Sequence, residues 1–468
     1  MNMSGRKKCL VLTFQTPKKP GGGGEVRSYC LLKTVAENFD VTILNIGGMT
    51  GTGRVPPEIR GLCSAVVEPP QDSQHANITR RPGRLVAWCS LLLAVLFPWR
   101  DHGRPFLRLV VQHGLSRHPS VAGRLVQHAE RIWTPFAALM PVTCFMFDHS
   151  WRRIRDASVL IATRERFDVF WVEHTLAWPF AEQLLPLPGL RQAKVVCSAQ
   201  NIEYLVCDRQ AAASVDAALA ASHRRQAMQM KRLELRAWRR SDLVLQCSEP
   251  DAELTKKNVP AAHVRIIGNG VDGQYFQPRP AATGTRDPIL VYTAGFGYAP
   301  NTEAVEWFLR QVFPAVRKLI PQARFLFAGS DADRLAHLLG QADSSLLNGV
   351  EWISDPPDIR PAFDRGLVYV VPLLCGGGSR LKILEAMSMQ VPVVSTSVGA
   401  EGVPYQDGRH LLLADGAAAF AAAVVRLLQD EPLRQRLTEQ AAEFVRESWD
   451  WSTLCGQLRD VLQKEFYP

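Results

Sequence analysis

The stretch Val368–Gly402, VYVVPLLCGGGSRLKILEAMSMQVPVVSTSVGAEG, reads as a buried strand, a glycine loop, a helix, a second buried strand and a further glycine turn. A helix that follows a glycine loop presents unpaired backbone N–H groups, and glycine lets a phosphate come close to them. Arg380 and Lys382 fall in the first turn of this helix, where they add positive charge. The pattern therefore indicates a parallel α/β unit that binds a phosphorylated ligand.

The residues of this helix separate into two faces. At about 100° per residue, Ile383, Leu384 and Met387 form one apolar stripe. Lys382 and Glu385 are three residues apart and lie together on the opposite side. A Lys–Glu pair that faces a cleft can bind a phosphate and a sugar hydroxyl side by side. A surface ion pair on an ordinary α/β helix has the same spacing, so geometry alone leaves both interpretations open.

The same residues resemble a known motif. Residues 380–402, RLKILEAMSMQVPVVSTSVGAEG, resemble the donor-site motif of GT-B glycosyltransferases, nearest to family 4 ("group 1", GT4) in a branch with RLKxLEAM. The resemblance extends over most of the chain and is weakest over residues 81–162. It implies an α/β, GT-B fold, in which two Rossmann-like domains face a cleft and a C-terminal helix crosses back to the N-terminal domain. It also implies a nucleotide-sugar donor and a retaining transfer.

The resemblance assigns roles to individual residues. Arg380 and Lys382 would clamp the diphosphate and Glu385 would bind the ribose, which makes these three the candidate catalytic residues. The other implied donor-binding residues lie in two loops: Gly295, Asn301, Gly377, Gly378 and Ser379. No metal is expected, because positive side chains and helix dipoles replace the ion in this fold. No cofactor is expected besides the substrate, a UDP- or GDP-sugar.

The N-terminal residues indicate a second parallel sheet. A strand at Cys9–Phe14, a glycine-rich loop at Pro17–Glu25 and a helix at Val26–Glu37 form a βαβ opening. No GxGxxG leads into the helix, which disfavours a dinucleotide-binding dehydrogenase. By the resemblance, this loop lies at the cleft; a flexible surface loop is the alternative. His174, which follows a later strand, is a further cleft candidate, with a structural histidine as its alternative. The candidate acceptor or cleft residues are Gly23, Gly24, Arg27, His174, Gln200 and Asn201.

Two positions depart from the family pattern. Gly377 stands eight residues before Glu385, where many members carry a glutamate that is expected to bind the donor sugar. Gln200 stands where many members have a histidine, and a glutamine hydrogen-bonds a hydroxyl but does not relay a proton. These departures favour an alternative function, a catalytically weakened GT-B protein that acts as a binding or scaffold subunit.

Length and cysteine content set the expected organisation. A chain of 468 residues exceeds one ordinary domain. The predicted parts are an N-terminal Rossmann-like acceptor domain (1–280, with a basic helical insertion at about 80–166), a C-terminal Rossmann-like donor domain (281–450) and a crossing helix (451–468). Ten scattered cysteines without a CxxC pair or metal spacing indicate reduced thiols. With no secretory signal in view, they predict a cytoplasmic protein.

The net charge of +9 is concentrated in one segment. Between Arg80 and Arg166 there are 14 arginines, no lysine and five acidic residues, an excess of nine positive charges. Two apolar runs in it, Leu85–Trp99 and Ile132–Phe147, are shorter than the ~20 residues that span a bilayer. Arginine flanks with embedded Trp and Phe predict helices on an anionic membrane surface, on the inner face of the cytoplasmic membrane; buried helices with a solvated basic face are the alternative. No recognised module indicates nucleic-acid binding.

The resemblance thus implies a retaining, metal-independent hexosyl- or related transferase. It would move a sugar to a glycan, glycolipid or other lipid-linked acceptor in polysaccharide or glycoconjugate biosynthesis. A sugar epimerase of the same fold is a third hypothesis, and the basic hydrophobic segment argues against it because an epimerase needs no acceptor platform. The donor sugar and base, the acceptor, the linkage and the oligomeric state are not identified by the sequence.

Overall fold

The chain folds into two parallel β-sheets that are covered by helices. The structure, a computed structural model, describes residues 6–19, 21, 23–46, 54–68, 149–214, 217–278, 287–296, 299–375 and 380–467. Its helices are α1 (Gly23–Asn38), α2 (Pro57–Arg60), α3 (His149–Arg164), α4 (Trp178–Leu184), α5 (Glu203–Ala213), α6 (Ala217–Arg240), α7 (Glu249–Asn258), α8 (Ala299–Trp307), α9 (Phe313–Leu319), α10 (Ala332–Ala342), α11 (Arg360–Arg365), α12 (Leu381–Ser388), α13 (Ala417–Gln429), α14 (Glu431–Ser448) and α15 (Trp451–Phe466).

The first sheet has seven strands in the order β3-β2-β1-β4-β5-β6-β7. The strands are β1 (Lys8–Thr13), β2 (Asp40–Asn45), β3 (Ala65–Val67), β4 (Val169–Glu173), β5 (Lys194–Ser198), β6 (Leu243–Gln246) and β7 (Val264–Ile266). Cys9 on β1 lies opposite Val41 on β2 and Val169 on β4, both in parallel register. The apolar residues of β1 are fully buried, as expected for a strand with helices on both faces of its sheet.

The second sheet has six strands in the order β10-β9-β8-β11-β12-β13. The strands are β8 (Ile289–Thr293), β9 (Arg324–Gly329), β10 (Val350–Ser354), β11 (Val368–Val371), β12 (Val393–Ser395) and β13 (Leu412–Leu413). Leu290 on β8 lies opposite Phe325 on β9 and Val368 on β11, again in parallel register.

In both sheets the first strand lies in the interior, and the order in which later strands are added reverses beside it. The reversal lies between β1 and β4 in the first sheet and between β8 and β11 in the second. In open α/β sheets, ligands bind outside the carboxyl ends of the strands at such a switch point. The prediction of two Rossmann-like parallel sheets is confirmed, and the second switch point lies where the glycine loop leaves β11.

The density of contacts divides the chain into two compact units. One comprises residues 1–16, 39–198 and 202–242, and the other comprises residues 17–38, 199–201 and 243–468. The second unit holds α1 together with the C-terminal helix α15. The hydroxyl of Tyr467 donates to the carbonyl of Asn38 at 3.0 Å, and the thiol of Cys455 donates to the carbonyl of Cys30 at 3.7 Å. The C-terminal residues thus form a helix that contacts α1, and the crossing helix at 451–468 and the domain boundaries at 280 and 450 stay a prediction.

The basic insertion predicted at about 80–166 falls largely on residues that the structure does not describe. The apolar runs Leu85–Trp99 and Ile132–Phe147 both lie outside the described residues. The described end of this segment is α3, which is helical as predicted. Among the helices that the structure describes, none has the length and apolar character that crossing a bilayer requires.

The chain after β7 makes a close contact with the start of α15. The N–H of Val271 donates to the carbonyl of Trp449 at 2.9 Å, and the N–H of Trp451 donates to the carbonyl of Val271 at 3.0 Å. A Cβ added at the neighbouring Gly270 would lie 2.7 Å from the Trp449 carbonyl oxygen and 2.6 Å from Leu454 Cδ1. Only glycine therefore allows the two backbones to approach to this distance.

We expect opposite effects from two glycine-to-alanine changes. Gly270→Ala should destabilise the protein by ~1–3 kcal/mol, because its methyl group meets a backbone oxygen that cannot move aside. Gly456→Ala, in the interior of α15 with its nearest neighbouring atom at 3.9 Å, should stabilise it by up to ~1 kcal/mol through helix propensity. Thermal unfolding measures both. Equal Tm shifts of the same sign would contradict the close contact at Gly270.

Candidate active site

The helix α12 buries one face and leaves the other toward the switch point of the second sheet. Ile383, Leu384 and Met387 are buried, as their spacing predicts. Lys382 and Glu385 are half-buried. Arg380 is the N-cap residue of the helix and is 6% exposed. The first turn thus places two cations close together where the helix dipole also favours an anion.

Lys382 is held by residues that the chain places 81 and 90 positions earlier. Its Nζ donates to the hydroxyl of Tyr292 at 3.1 Å and to Oδ1 of Asn301 at 3.2 Å, and it lies 4.5 Å from the centre of the Tyr292 ring. The Tyr292 hydroxyl donates to the same Oδ1 at 3.0 Å, and Nδ2 of Asn301 donates to the carbonyl of Gly295 at 2.9 Å. The amide of Asn301 therefore holds Lys382 and the β8–α8 loop in one arrangement.

Tyr292 is a site residue that the sequence reasoning did not identify. It stands near the end of β8 in the apolar run ILVYT and is fully buried. From the pattern alone it reads as one more core residue. The signal that could have drawn attention to it is its place at the carboxyl end of the first strand of a Rossmann-like sheet, where ligand-binding groups gather.

The burial of Lys382 and Glu385 changes their proton affinities. Burial and, to a smaller extent, the neighbouring Arg380 lower the pKa of Lys382 to about 7, against the opposing effect of Glu385. Burial raises the pKa of Glu385 to about 7 against the attraction of Lys382. Both groups therefore change charge near neutral pH. An anion that approaches Lys382 favours its charged form, because an opposite charge raises the pKa of an amine.

The loops predicted to border this site are only partly described. A Cβ added at Gly295 would lie 2.7 Å from Oγ of Ser330, so the loop after β8 packs closely on the residue that follows β9. The other predicted donor loop contains Gly377, Gly378 and Ser379, which lie outside the described residues.

The first residue of α1 lies against the first residue of α12. A Cβ added at Gly23 would be 2.5 Å from Cδ1 of Leu381. Nε2 of Gln200 donates to the carbonyl of Gly24 at 3.3 Å and to Oγ of Ser28 at 3.1 Å. Gly23, Gly24 and Gln200 are thus gathered beside the helix that carries Arg380 and Lys382, and the half-exposed Asn201 follows them.

Arg27 has a buried position one turn into α1. It is fully buried, and its Nη1 donates to the carbonyls of Ile267 and Gly268 at 2.8 and 2.9 Å and to Oδ1 of Asn269 at 2.9 Å. The guanidinium therefore fixes the chain after β7 to α1. In these contacts Arg27 has a structural role, and its place at the cleft stays a prediction.

His174 follows β4 in a left-handed backbone conformation, with φ at 76°. Its Nδ1 accepts the N–H of Leu176 at 3.2 Å, which assigns the ring proton of the neutral form to Nε2. Nε2 lies 3.8 Å from Oε1 of Glu203, and the ring centre lies 5.5 Å from that of Phe14. A non-glycine residue in this conformation costs ~1–3 kcal/mol, and such strain is concentrated at functional sites.

Glu203, the partner of His174, is itself fixed by a carboxylate on α6. Oε1 of Glu234 accepts the N–H of Glu203 at 2.8 Å, and Oε2 accepts the N–H of Tyr204 at 3.0 Å. This buried carboxylate caps the start of α5.

In the parts of the chain that the structure describes, no group of three His, Cys, Asp or Glu side chains is placed to hold a metal ion.

Comparison with known proteins assigns the region that contains this site. The model of the family described as "Glycosyl transferases group 1" matches residues 287–430, which carry Tyr292, Asn301, Arg380, Lys382 and Glu385. This region is similar to the group 1 glycosyltransferases. The resemblance inferred from residues 380–402 is thus confirmed at the level of the family.

Two curated relatives share this part of the chain. An "Uncharacterized 44.6 kDa protein in cps region" of Klebsiella pneumoniae is 29% identical over 153 residues, which cover 32% of this chain and 39% of the relative. A "Phosphatidyl-myo-inositol mannosyltransferase" of Mycobacterium leprae is 29% identical over 160 residues, which cover 33% of this chain and 41% of the relative. The matches thus span about two fifths of the length of these relatives.

A solved structure matches almost the whole chain. The structure of Anabaena Alr3699/HepE in complex with UDP and glucose aligns with a TM-score of 0.58 and 13% identity, covering 98% of this chain and 100% of that chain. At this identity the likeness shows the fold alone. The prediction of a GT-B fold is therefore confirmed.

Proposed function

We propose that the chain is a retaining glycosyltransferase that moves a sugar from a nucleotide-sugar donor to an acceptor. The observation that carries the proposal is the pair of cations at the start of α12. Arg380 and Lys382 stand beside the half-buried Glu385, and Tyr292 and Asn301 hold the Lys382 ammonium at hydrogen-bond distance. Such an arrangement suits a diphosphate and the ribose attached to it.

The donor is a UDP- or GDP-sugar in this proposal. The match to group 1 glycosyltransferases and the UDP bound in the Anabaena structure support a nucleotide sugar. Gly295 and the loop residues Gly377, Gly378 and Ser379 would supply backbone groups to the phosphates, as the resemblance implies. Glu385 would accept hydrogen bonds from the ribose hydroxyls in its ionised form.

The chemistry requires stabilisation of the leaving group. As the bond between the sugar and the diphosphate breaks, negative charge develops on the phosphate oxygens, and Arg380 and Lys382 stabilise it. The acceptor oxygen bonds to the anomeric carbon from the face that the diphosphate leaves, which retains the configuration of the sugar. The departing phosphate takes the proton of the acceptor hydroxyl, so no protein base is required. The two cations and the helix dipole serve the role that a metal ion has in other transferases.

The acceptor side of the site is assigned to the N-terminal part of the chain. We assign Gly23, Gly24 and Gln200 to it because they lie beside Leu381 at the start of α12. His174 and Asn201 are assigned to it from the sequence, and both assignments remain proposals. The division into an acceptor domain (1–280), a donor domain (281–450) and a crossing helix (451–468) belongs to the same proposal.

The acceptor class is a glycan, glycolipid or other lipid-linked molecule of polysaccharide or glycoconjugate biosynthesis. The support for a lipid-linked acceptor is the arginine-rich segment 80–166 with its two apolar runs. The name of the Mycobacterium leprae relative, a phosphatidyl-myo-inositol mannosyltransferase, also includes a lipid acceptor. We place the protein in the cytoplasm at the inner face of the membrane.

A catalytically weakened GT-B protein that acts as a binding or scaffold subunit is the second candidate. Gly377 and Gln200, where related sequences have acidic and imidazole side chains, favour it. Incubation with a panel of UDP- and GDP-sugars separates the two. Release of a nucleoside diphosphate that depends on added acceptor supports the transferase, and tight binding of a nucleotide sugar without turnover in any acceptor mixture supports the scaffold.

Removal of either cation should abolish most of the transfer while the fold remains intact. Arg380→Ala and Lys382→Ala each remove one charged donor to the diphosphate, which should cost ~3 kcal/mol in the transition state, or about 100-fold in rate. Lys318→Ala, at an exposed position of α9, is the control for loss of a positive charge. Steady-state transfer assays provide the measurement, and wild-type rates in both cation variants would contradict the assignment.

The affinity for UDP or GDP should be greatest near pH 7 and fall on both sides. Above this pH the free Lys382, whose pKa is about 7, loses its charge and must take up a proton when the diphosphate binds. Below it the free Glu385, whose pKa is also about 7, is protonated and must release a proton to accept the ribose hydroxyls. Calorimetry in buffers of different ionisation enthalpy should show net proton uptake at pH 8 and net release at pH 6.

Glu385→Gln is the control for this profile. It should weaken nucleotide binding and remove the part of the proton release at pH 6 that comes from Glu385, while the proton uptake at pH 8 stays and thermal stability changes little. The titration of the nucleotide's own phosphate is common to both proteins and cancels in the comparison. A variant with unchanged affinity and unchanged proton release would show that Glu385 belongs to a plain ion pair.

Binding to vesicles should require anionic lipid and fall with salt. Each arginine near an anionic surface adds ~1 kcal/mol, and salt screens the attraction. Replacement of Arg81, Arg84 and Arg100 together should weaken co-sedimentation with anionic vesicles. The matched control replaces three exposed arginines of α6 outside the segment, namely Arg224, Arg232 and Arg239. Equal binding to neutral and anionic vesicles would exclude the electrostatic attraction.

A further inference from the structure

Tyr292 is in contact with Lys382 in two ways at once. Its hydroxyl accepts a hydrogen bond from Nζ at 3.1 Å, and its ring centre lies 4.5 Å from the same atom. A cation over an aromatic face is attracted by the negative charge of the ring, and more strongly where water is excluded. Tyr292 is fully buried. Its phenol is therefore in place before any ligand binds.

Asn301 fixes the orientation of the Tyr292 hydroxyl. The hydroxyl donates its proton to Oδ1 of Asn301 at 3.0 Å, which leaves its oxygen lone pairs to accept from Lys382. Asn301 is in turn held by its hydrogen bond to Gly295. Because the hydroxyl proton is directed to Asn301, the phenol oxygen acts as an acceptor toward the ammonium.

The charged and titratable groups around Lys382 act in opposite senses. Burial and the neighbouring Arg380 disfavour its positive charge, whereas Glu385 on the same helix favours it. Tyr292 on the second sheet and the neutral acceptor Asn301 on α8 also face the ammonium. The two acceptors offset part of the cost that burial and Arg380 impose on the charged amine.

We propose that Tyr292 is a positioning residue of the donor site, which keeps the Lys382 ammonium charged and directed toward the diphosphate. This inference rests on the proposed function, since it assigns the diphosphate to Lys382. Tyr292 makes no contact with the reacting atoms in this proposal. It acts through Lys382, so its loss should change the pH range over which the nucleotide binds.

Tyr292→Phe is the decisive variant, because it keeps the ring and removes only the hydroxyl. Without this acceptor the charged form of Lys382 is less favoured, so the alkaline limit of UDP or GDP binding should move down by about 0.5–1 pH unit. This corresponds to a ~3–10-fold loss of affinity at pH 8 and a loss of about twofold or less at pH 6. The affinities are measured by calorimetry with whichever of the two nucleotides the wild-type protein binds more tightly.

Tyr369→Phe is the matched control. Tyr369 is also fully buried and stands on the adjacent strand β11, where its hydroxyl lies 2.6 Å from Oγ1 of Thr293. Its loss removes a buried hydroxyl without touching the described contacts of Lys382. Any change in affinity should therefore be the same at pH 6 and pH 8. If Tyr292→Phe also loses equal affinity at both pH values, its role is structural and the proposal is overturned.

Asn301→Asp is a second variant, and it should shift the alkaline limit of binding in the opposite direction. It replaces a neutral acceptor of Lys382 with a charged one, so the alkaline limit should move to higher pH even though the added charge weakens binding overall. A downward or absent shift in this variant would also overturn the proposal. A wild-type protein that binds neither UDP nor GDP would instead contradict the proposed function, which keeps the two failures distinct.

Discussion

The site depends on a positive charge that is held away from water before its ligand arrives. Lys382 is half-buried and stands beside a second cation, Arg380, and a half-buried carboxylate, Glu385. Burial brings the pKa values of Lys382 and Glu385 to about 7 from opposite directions. In the proposed function, a partly desolvated amine gains more from a diphosphate than an exposed lysine would, because the ligand restores favourable interactions that burial removed. The fold supplies the acceptors, Tyr292 and Asn301, that keep the arrangement in place until then.

The positions of these groups follow from the topology of the second sheet. Tyr292 lies near the end of β8, and α12 begins after β11, the neighbouring strand across the switch point. A parallel sheet brings the carboxyl ends of both strands to one edge, so residues far apart in the chain meet there. Gly23 extends the same logic to the N-terminal part, because the absence of a side chain lets α1 start directly against Leu381. The close packing at Gly270 then fixes the chain after β7 to the crossing helix α15.

The helix α12 and its faces were predictable from the sequence because an apolar stripe at helical spacing and a preceding glycine loop are local signals. The alternation of strands and helices likewise predicted two parallel sheets. The contact of Tyr292 with Lys382 was not predictable, because a tyrosine in an apolar strand is typical of a core and Lys382 lies 90 residues away in the chain. The acceptors of the buried Arg27 guanidinium were not predictable for a similar reason. Its three acceptors lie about 240 residues further along the chain, and no local pattern indicates them.

The geometry of Gln200 bears on the meaning of its departure from the family pattern. Its Nε2 is committed to the carbonyl of Gly24 and the hydroxyl of Ser28, so the side chain ties the glycine loop to the strand end that follows β5. A histidine with one ring nitrogen bonded in the same way would also have only one nitrogen left for a ligand. The glutamine thus holds the start of α1 against the residues after β5, and unlike a histidine it does not relay a proton. In a mechanism where the donor phosphate takes the acceptor's proton, that loss removes no required step.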